Sequence, residues 1–172
     1  MKNNFLFLLI VLLAGTGTGC KKNTEVPAPD PNAIGISAKI NGEWHSFFFQ
    51  PLGRQWNSYS YTFEGSEGST SGNQISIAID SPTPLTTGVY SSNSTPGVSV
   101  RIFYGGFYGF LGYSSWEVTN SPGFGRREET VTISEINSVS VKGSFSCTLF
   151  SASFIDLTKI KTLTNGNFNV KF

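Results

Sequence analysis

"QISIAID", residues 74 to 80, decides the fold class. Ile75, Ile77 and Ile79 fall on one face of an extended chain, with Ser76, Ala78 and Asp80 between them, and that period of two belongs to a strand with one buried face. The same phase runs through "VSVRIFY" (98 to 104), with Val98, Val100, Ile102 and Tyr104 in register. It recurs in "TVTISEI" (130 to 136), with Val131 and Ile133, and in "SVSVKGSFSCTLF" (138 to 150), where Val139, Val141, Phe145, Cys147 and Leu149 share a face. Turn signals separate these runs at Asn41-Gly42, Ser71-Gly72-Asn73, Ser121-Pro122-Gly123 and Asn165-Gly166. No segment after the leader carries a helical stripe longer than two turns, and without crossover helices parallel strands have no connection. The expected fold is all-β: an antiparallel sandwich or small barrel of about eight to ten strands, built as a single domain from residues 34–172.

Two hairpins set which side chains face inward. A two-residue Asn41-Gly42 loop pairs Ile40 with Glu43 and Lys39 with Trp44, mixing charged and apolar partners. A three-residue loop from Ile40 to Gly42 pairs Lys39 with Glu43 and Ala38 with Trp44. The second register is adopted, so Trp44 is expected inside and His45 outside. The same choice at Thr164 to Gly166 makes a turn there and sets Ile160 beside Val170. In "WNSYSYTF" (56 to 63) the aromatics Trp56, Tyr59, Tyr61 and Phe63 are expected to share one buried face.

The composition fits this architecture. Aromatics make up 14% of the 172 residues, 15 of them Phe, and turn-forming polar residues fill much of the rest. Charged residues are only 13% with a formal net charge of +1, and no basic stripe runs along the chain, so nucleic acid is not an expected partner.

The N-terminus has its own pattern. Lys2 precedes an apolar run from Phe5 to Ala14, followed by small residues to Gly19: the layout of a secretory signal over residues 1–19. As a helix the run rises about 15 Å, half of a ~30 Å hydrocarbon layer. After Cys20, "KKNTEVPAPDPNA" alternates Pro27, Pro29 and Pro31, so residues 20–33 read as an extended tether spanning some 35 to 40 Å.

Gly19-Cys20 resembles a bacterial lipoprotein signal. The resemblance implies that the Cys20 thiol takes a diacylglyceryl group after cleavage and that the freed amine is acylated too. Ordinary cleavage after Gly19 is the alternative, but an otherwise disulfide-less secreted chain has little use for a cysteine there. Each buried methylene contributes about 0.8 kcal/mol, so two or more acyl chains hold a protein on a membrane. "ISAKINGEWHSF" (36 to 47), "VKGSFSCTLF" (141 to 150) and "TNGNFNVKF" (164 to 172) resemble an uncharacterised all-β lipoprotein family of the Bacteroidota. That resemblance implies an outer-membrane lipoprotein and carries no catalytic residues. Surface display in that phylum goes with acidic residues after the cysteine; Lys21 and Lys22 stand here instead, which favours the periplasmic face, with surface exposure as the alternative.

Candidate sites are few. His45 is the single histidine, which rules out a two-histidine metal site, and no nucleophile motif accompanies it. "GSTSG" (68 to 72) puts Thr70 where a nucleophile-elbow serine belongs. Neighbouring Glu128 and Glu129 would point to opposite faces of a strand and are expected in solvent with Arg126 and Arg127. Cys147 is expected to be a buried, inert thiol. No catalytic residue, metal ligand or cofactor is assigned. The binding candidates are Phe107, Tyr108, Phe110, Tyr113 and Trp116 in "GGFYGFLGYSSW" (105 to 116), a possible aromatic platform for sugar rings or an apolar ligand, against a duller role inside the core. The expected function is non-enzymatic: a membrane-tethered envelope lipoprotein whose β-domain binds or scaffolds a partner. A glycan-binding module and a carrier of small apolar ligands are the alternatives.

Overall fold

The computed structural model describes residues 26–57, 59–69, 72–106, 112–114, 129–151 and 160–172. Their regular elements are all strands: β1 (Gly35–Ile40), β2 (Glu43–Phe47), β3 (Phe49–Asn57), β4 (Ser60–Ser66), β5 (Asn73–Asp80), β6 (Gly88–Tyr90), β7 (Ser99–Gly106), β8 (Tyr113–Ser114), β9 (Thr130–Ile136), β10 (Ser140–Ser151) and β11 (Ile160–Lys171). Every pairing among them is antiparallel, and no crossover helix occurs among the described residues. Eleven strands form one sheet, one more than the expected upper count. The sheet runs β2-β1-β11-β10-β8-β7-β5-β4-β3, with β9 on β10 and β6 on β9.

The sheet curls until its edges approach each other. β3 lies against β1 and β11, and β4 against β1 and β2, giving a nearly closed barrel. Gly65 allows this closure, because a Cβ there would run into the Phe47 carbonyl oxygen at the corner between β2 and β3. On the far side β10 forks: Val141 to Ser146 pair with β9, and Phe150 and Ser151 pair with β8.

The alternating isoleucines do face inward. Ile75, Ile77 and Ile79 are fully buried beside Val100, Ile102 and Tyr104 on β7, with Tyr61 and Phe63 on β4. Across the interior the Phe63 and Phe168 rings stack 5.1 Å apart at 15°, so the barrel is filled at this level by side chains. Each such ring contributes about 1.5–3 kcal/mol by leaving water.

Four local expectations are corrected. Asn41 (φ 52°) and Gly42 (φ 91°) form a two-residue turn of the primed type, whose twist matches the flanking strands. Ile40 therefore pairs with Glu43, Lys39 with Trp44, and Ala38 with His45. His45 shares the inner face with Phe47, while Trp44 lies on the other face under the Lys39 ammonium, 5.4 Å from its ring. Thr164 to Gly166 is no turn. Asn165 (φ 52°) sits in a bulge inside the single strand β11, where Phe145 faces Gly166 but Cys147 faces Leu163. Ile160 thus pairs with Phe150, not with Val170. Third, "WNSYSYTF" splits: Tyr61 and Phe63 are buried, but Trp56 and Tyr59 are exposed around the hairpin tip, because the tip changes the phase. Val139 likewise precedes β10 and is exposed.

The strands define two poles. β1 begins at the pole where the Asn169 side-chain amide donates to the Asn32 carbonyl at 2.7 Å, and Gly35 faces Asn169. It ends at the Asn41-Gly42 turn. There Asn41 N–H donates to Thr162 O at 2.9 Å, and Thr162 N–H donates back to Asn41 Oδ1 at 3.0 Å.

Candidate functional site

The pole of the Asn41-Gly42 turn, opposite Asn32 and Gly35, gathers polar side chains from five strands and one turn. His45 reaches it from β2 because the two-residue turn puts it in phase with Phe47. Its Nδ1 lies 2.6 Å from Glu67 Oε1 in the turn between β4 and β5, and the Asn73 amide donates to Glu67 Oε2 at 2.8 Å. A carboxylate only accepts, so this bond places a proton on Nδ1 and fixes the orientation of the ring. The imidazole meets Tyr104 of β7 edge-on, with centroids 6.1 Å apart.

Tyr104 pairs with Tyr113 of β8, and Lys161 of β11 lies over both, its Nζ 4.9 Å from the Tyr113 centroid and 5.7 Å from that of Tyr104. Burial, then the Glu67 carboxylate and then Tyr113, raise the Tyr104 hydroxyl above its ordinary pKa. It stays protonated at neutral pH. The cluster therefore offers one ammonium, two phenolic hydroxyls and an oriented imidazole, a set suited to holding a polar ligand.

Deeper inside, β9 leaves β10 at the fork. Continuing the register of Thr130 with Ser146 places Glu129 opposite Cys147 on the inner face. The expectation of a solvated Glu129 is wrong: it is fully buried, and neither carboxylate oxygen has a hydrogen-bond partner among the described residues. The strand phase that buries Val131 and Ile133 carries Glu129 inward with them. Cys147 is buried as expected, and burial first, with Glu129 adding to it, pushes its thiol up, so it is not a nucleophile at neutral pH. No group of three or more histidine, cysteine or carboxylate ligands occurs among the described residues.

Of the aromatic candidates, only Tyr113 lies within the described residues, half-buried beneath Lys161. Phe107, Tyr108, Phe110 and Trp116 lie outside them, as do Cys20, Arg126, Arg127, Glu128 and the Ser121-Pro122-Gly123 turn. The sequence reading missed the union of His45, Glu67 and Lys161. Reading Asn-Gly as the two-residue turn it most often makes would have brought His45 inside.

Fold and cluster together define an antiparallel, barrel-like β-protein with a polar, aromatic end. No family model, curated protein or solved structure matches the chain.

Proposed function

We propose that this chain is a lipoprotein of the bacterial cell envelope, held by acyl chains on Cys20 and presenting a non-catalytic β-domain that binds a partner. The reading places it at the outer membrane, facing the periplasm. The observation that carries it is polarity. The tether joins the domain at the pole of Asn32, Gly35 and Asn169, whereas His45, Glu67, Tyr104, Tyr113 and Lys161 gather at the opposite one. An anchor on Cys20 would leave that cluster pointing away from the lipid, at the end of a spacer of about 35 to 40 Å. A carrier of apolar ligands is less favoured, because Phe63 and Phe168 fill the interior where such a ligand would lie.

The test is mass spectrometry of the membrane fraction together with a Cys20→Ala chain. The expected N-terminal peptide begins at Cys20 and carries diacylglyceryl and amide-linked acyl groups, and the variant leaves the membrane fraction. A variant that remains there ends the anchor reading.

A further inference from the structure

Among the described residues, three other than glycine have positive φ: Asn41, Asn165 and Gln50. Asparagine tolerates this conformation, and the turn and the bulge account for the first two. Gln50 (φ 48°) lacks the side chain that makes this conformation tolerable for asparagine, and Pro51 after it further disfavours a helical-type backbone. The cause is a bulge in β3. Phe49 pairs with Ser66 and Leu52 with Glu64, so Gln50 and Pro51 together face Gly65. Such breaches of a local rule concentrate at binding sites, where a strained backbone aims a side chain.

Gln50 lines a groove of about 490 Å³ on the outer wall, across β3, β4, β5 and β7, a size within the range of small-ligand clefts. One side of the lining is apolar. The Phe103 ring lies over Gly105 and Gly112, and a Cβ at Gly112 would run into it, so the ring is seated on glycine backbone beside a groove that Leu52 also lines. The other side is planar and polar: the amides of Gln50 and Gln74 with the Ser76 hydroxyl, none of which has a side-chain hydrogen bond within the described residues. Arg54 Nε lies 4.0 Å from Glu64 Oε2, so the charges lining the groove offset each other.

We propose that this groove binds a short, neutral saccharide. Amides and hydroxyls each donate and accept, as every sugar hydroxyl does, and an aromatic ring takes the C–H face of a pyranose. The balanced Arg54–Glu64 pair disfavours a strongly charged ligand, and an apolar one would strip the amides of water without replacing its hydrogen bonds. The proposal deepens the binding-module reading and rests on it, but does not depend on the membrane anchor.

The test is an array of neutral hexose and N-acetylhexosamine oligosaccharides probed with the purified full chain, followed by calorimetry on the sugars retained. Gln50→Gly keeps the left-handed backbone and removes only the side chain. That variant and Gln74→Ala are each expected to weaken binding at least tenfold, while Val139→Ala, at an exposed position before β10 and away from the groove, leaves it unchanged. A purely structural role for Gln50 predicts that Gln50→Gly alters melting temperature and not affinity. A blank array, retention of acidic sugars alone, or unchanged affinity in both groove variants overturns the proposal. None of these outcomes bears on the acylation test of the anchor.

Discussion

Glu129 is the residue whose chemistry is least at ease with its surroundings. A buried carboxylate forgoes its hydration, and this one gains no hydrogen bond in return among the described residues. Replacing it with an apolar side chain of similar length should therefore stabilise the protein. Glu129→Met is expected to raise the unfolding free energy by about 1–3 kcal/mol, or roughly 2–4 °C of melting temperature per kcal/mol in a chain of this size, read by thermal unfolding. A lower melting temperature would show that the carboxylate has a partner. This burial was half legible: the strand phase through Val131 and Ile133 assigns Glu129 to the inner face, but charge argued for solvent. Cys147 posed no such conflict, since a thiol and its strand phase both favour the interior.

At the scale of elements, the barrel depends on places where two backbones nearly touch. Gly65 is the clearest. Its missing Cβ leaves room for the Phe47 carbonyl, and that obstacle is main chain fixed by the β2–β3 corner. Gly65→Ala should cost about 1–3 kcal/mol by forcing the corner outward, measured by denaturant titration. Gly143 is similar, because a Cβ there would meet the Thr132 carbonyl and the Phe168 ring beside the bulge between β9 and β10. Neither close approach can be read from the neighbouring sequence, which shows only a glycine in a strand. The Asn165 bulge was misread as a turn for a related reason. The same Asn-Gly pair suits either geometry, and only the pairing of β11 with β1 and β10 on both sides selects the bulge.

For the molecule as a whole, two buried acids make stability depend on alkaline pH. Cys147 and Tyr104 ordinarily titrate near 9.0 and 10.0, and burial raises both in the folded state. The folded protein thus holds these protons where the unfolded chain has released them. Their contribution is fully present below the unfolded values and is lost as pH rises past them toward the folded ones. Denaturation midpoints should be level from neutral pH to about 9 and fall beyond it. Cys147→Ala is expected to delay the onset of that fall towards 10, the ordinary value for Tyr104. An onset unchanged in the variant would mean that the thiol titrates normally. The poles are also a property of the whole: Asn32 and Asn169 at one, the polar cluster at the other, and the groove of Gln50 and Phe103 on the wall between them.

The all-β class, the antiparallel pairing and the inward faces of β5, β7 and most of β10 were set by the sequence alone, because a period of two is a local property that any extended chain expresses. Closure into a barrel, the meeting of His45 with Glu67 across 22 positions, the fork that encloses Glu129 and the strained Gln50 beside Phe103 belong to the tertiary structure. Each depends on register between strands distant in the chain. A one-residue choice at a turn or bulge exchanges inside for outside, and that choice is made by packing and not by the residues flanking it.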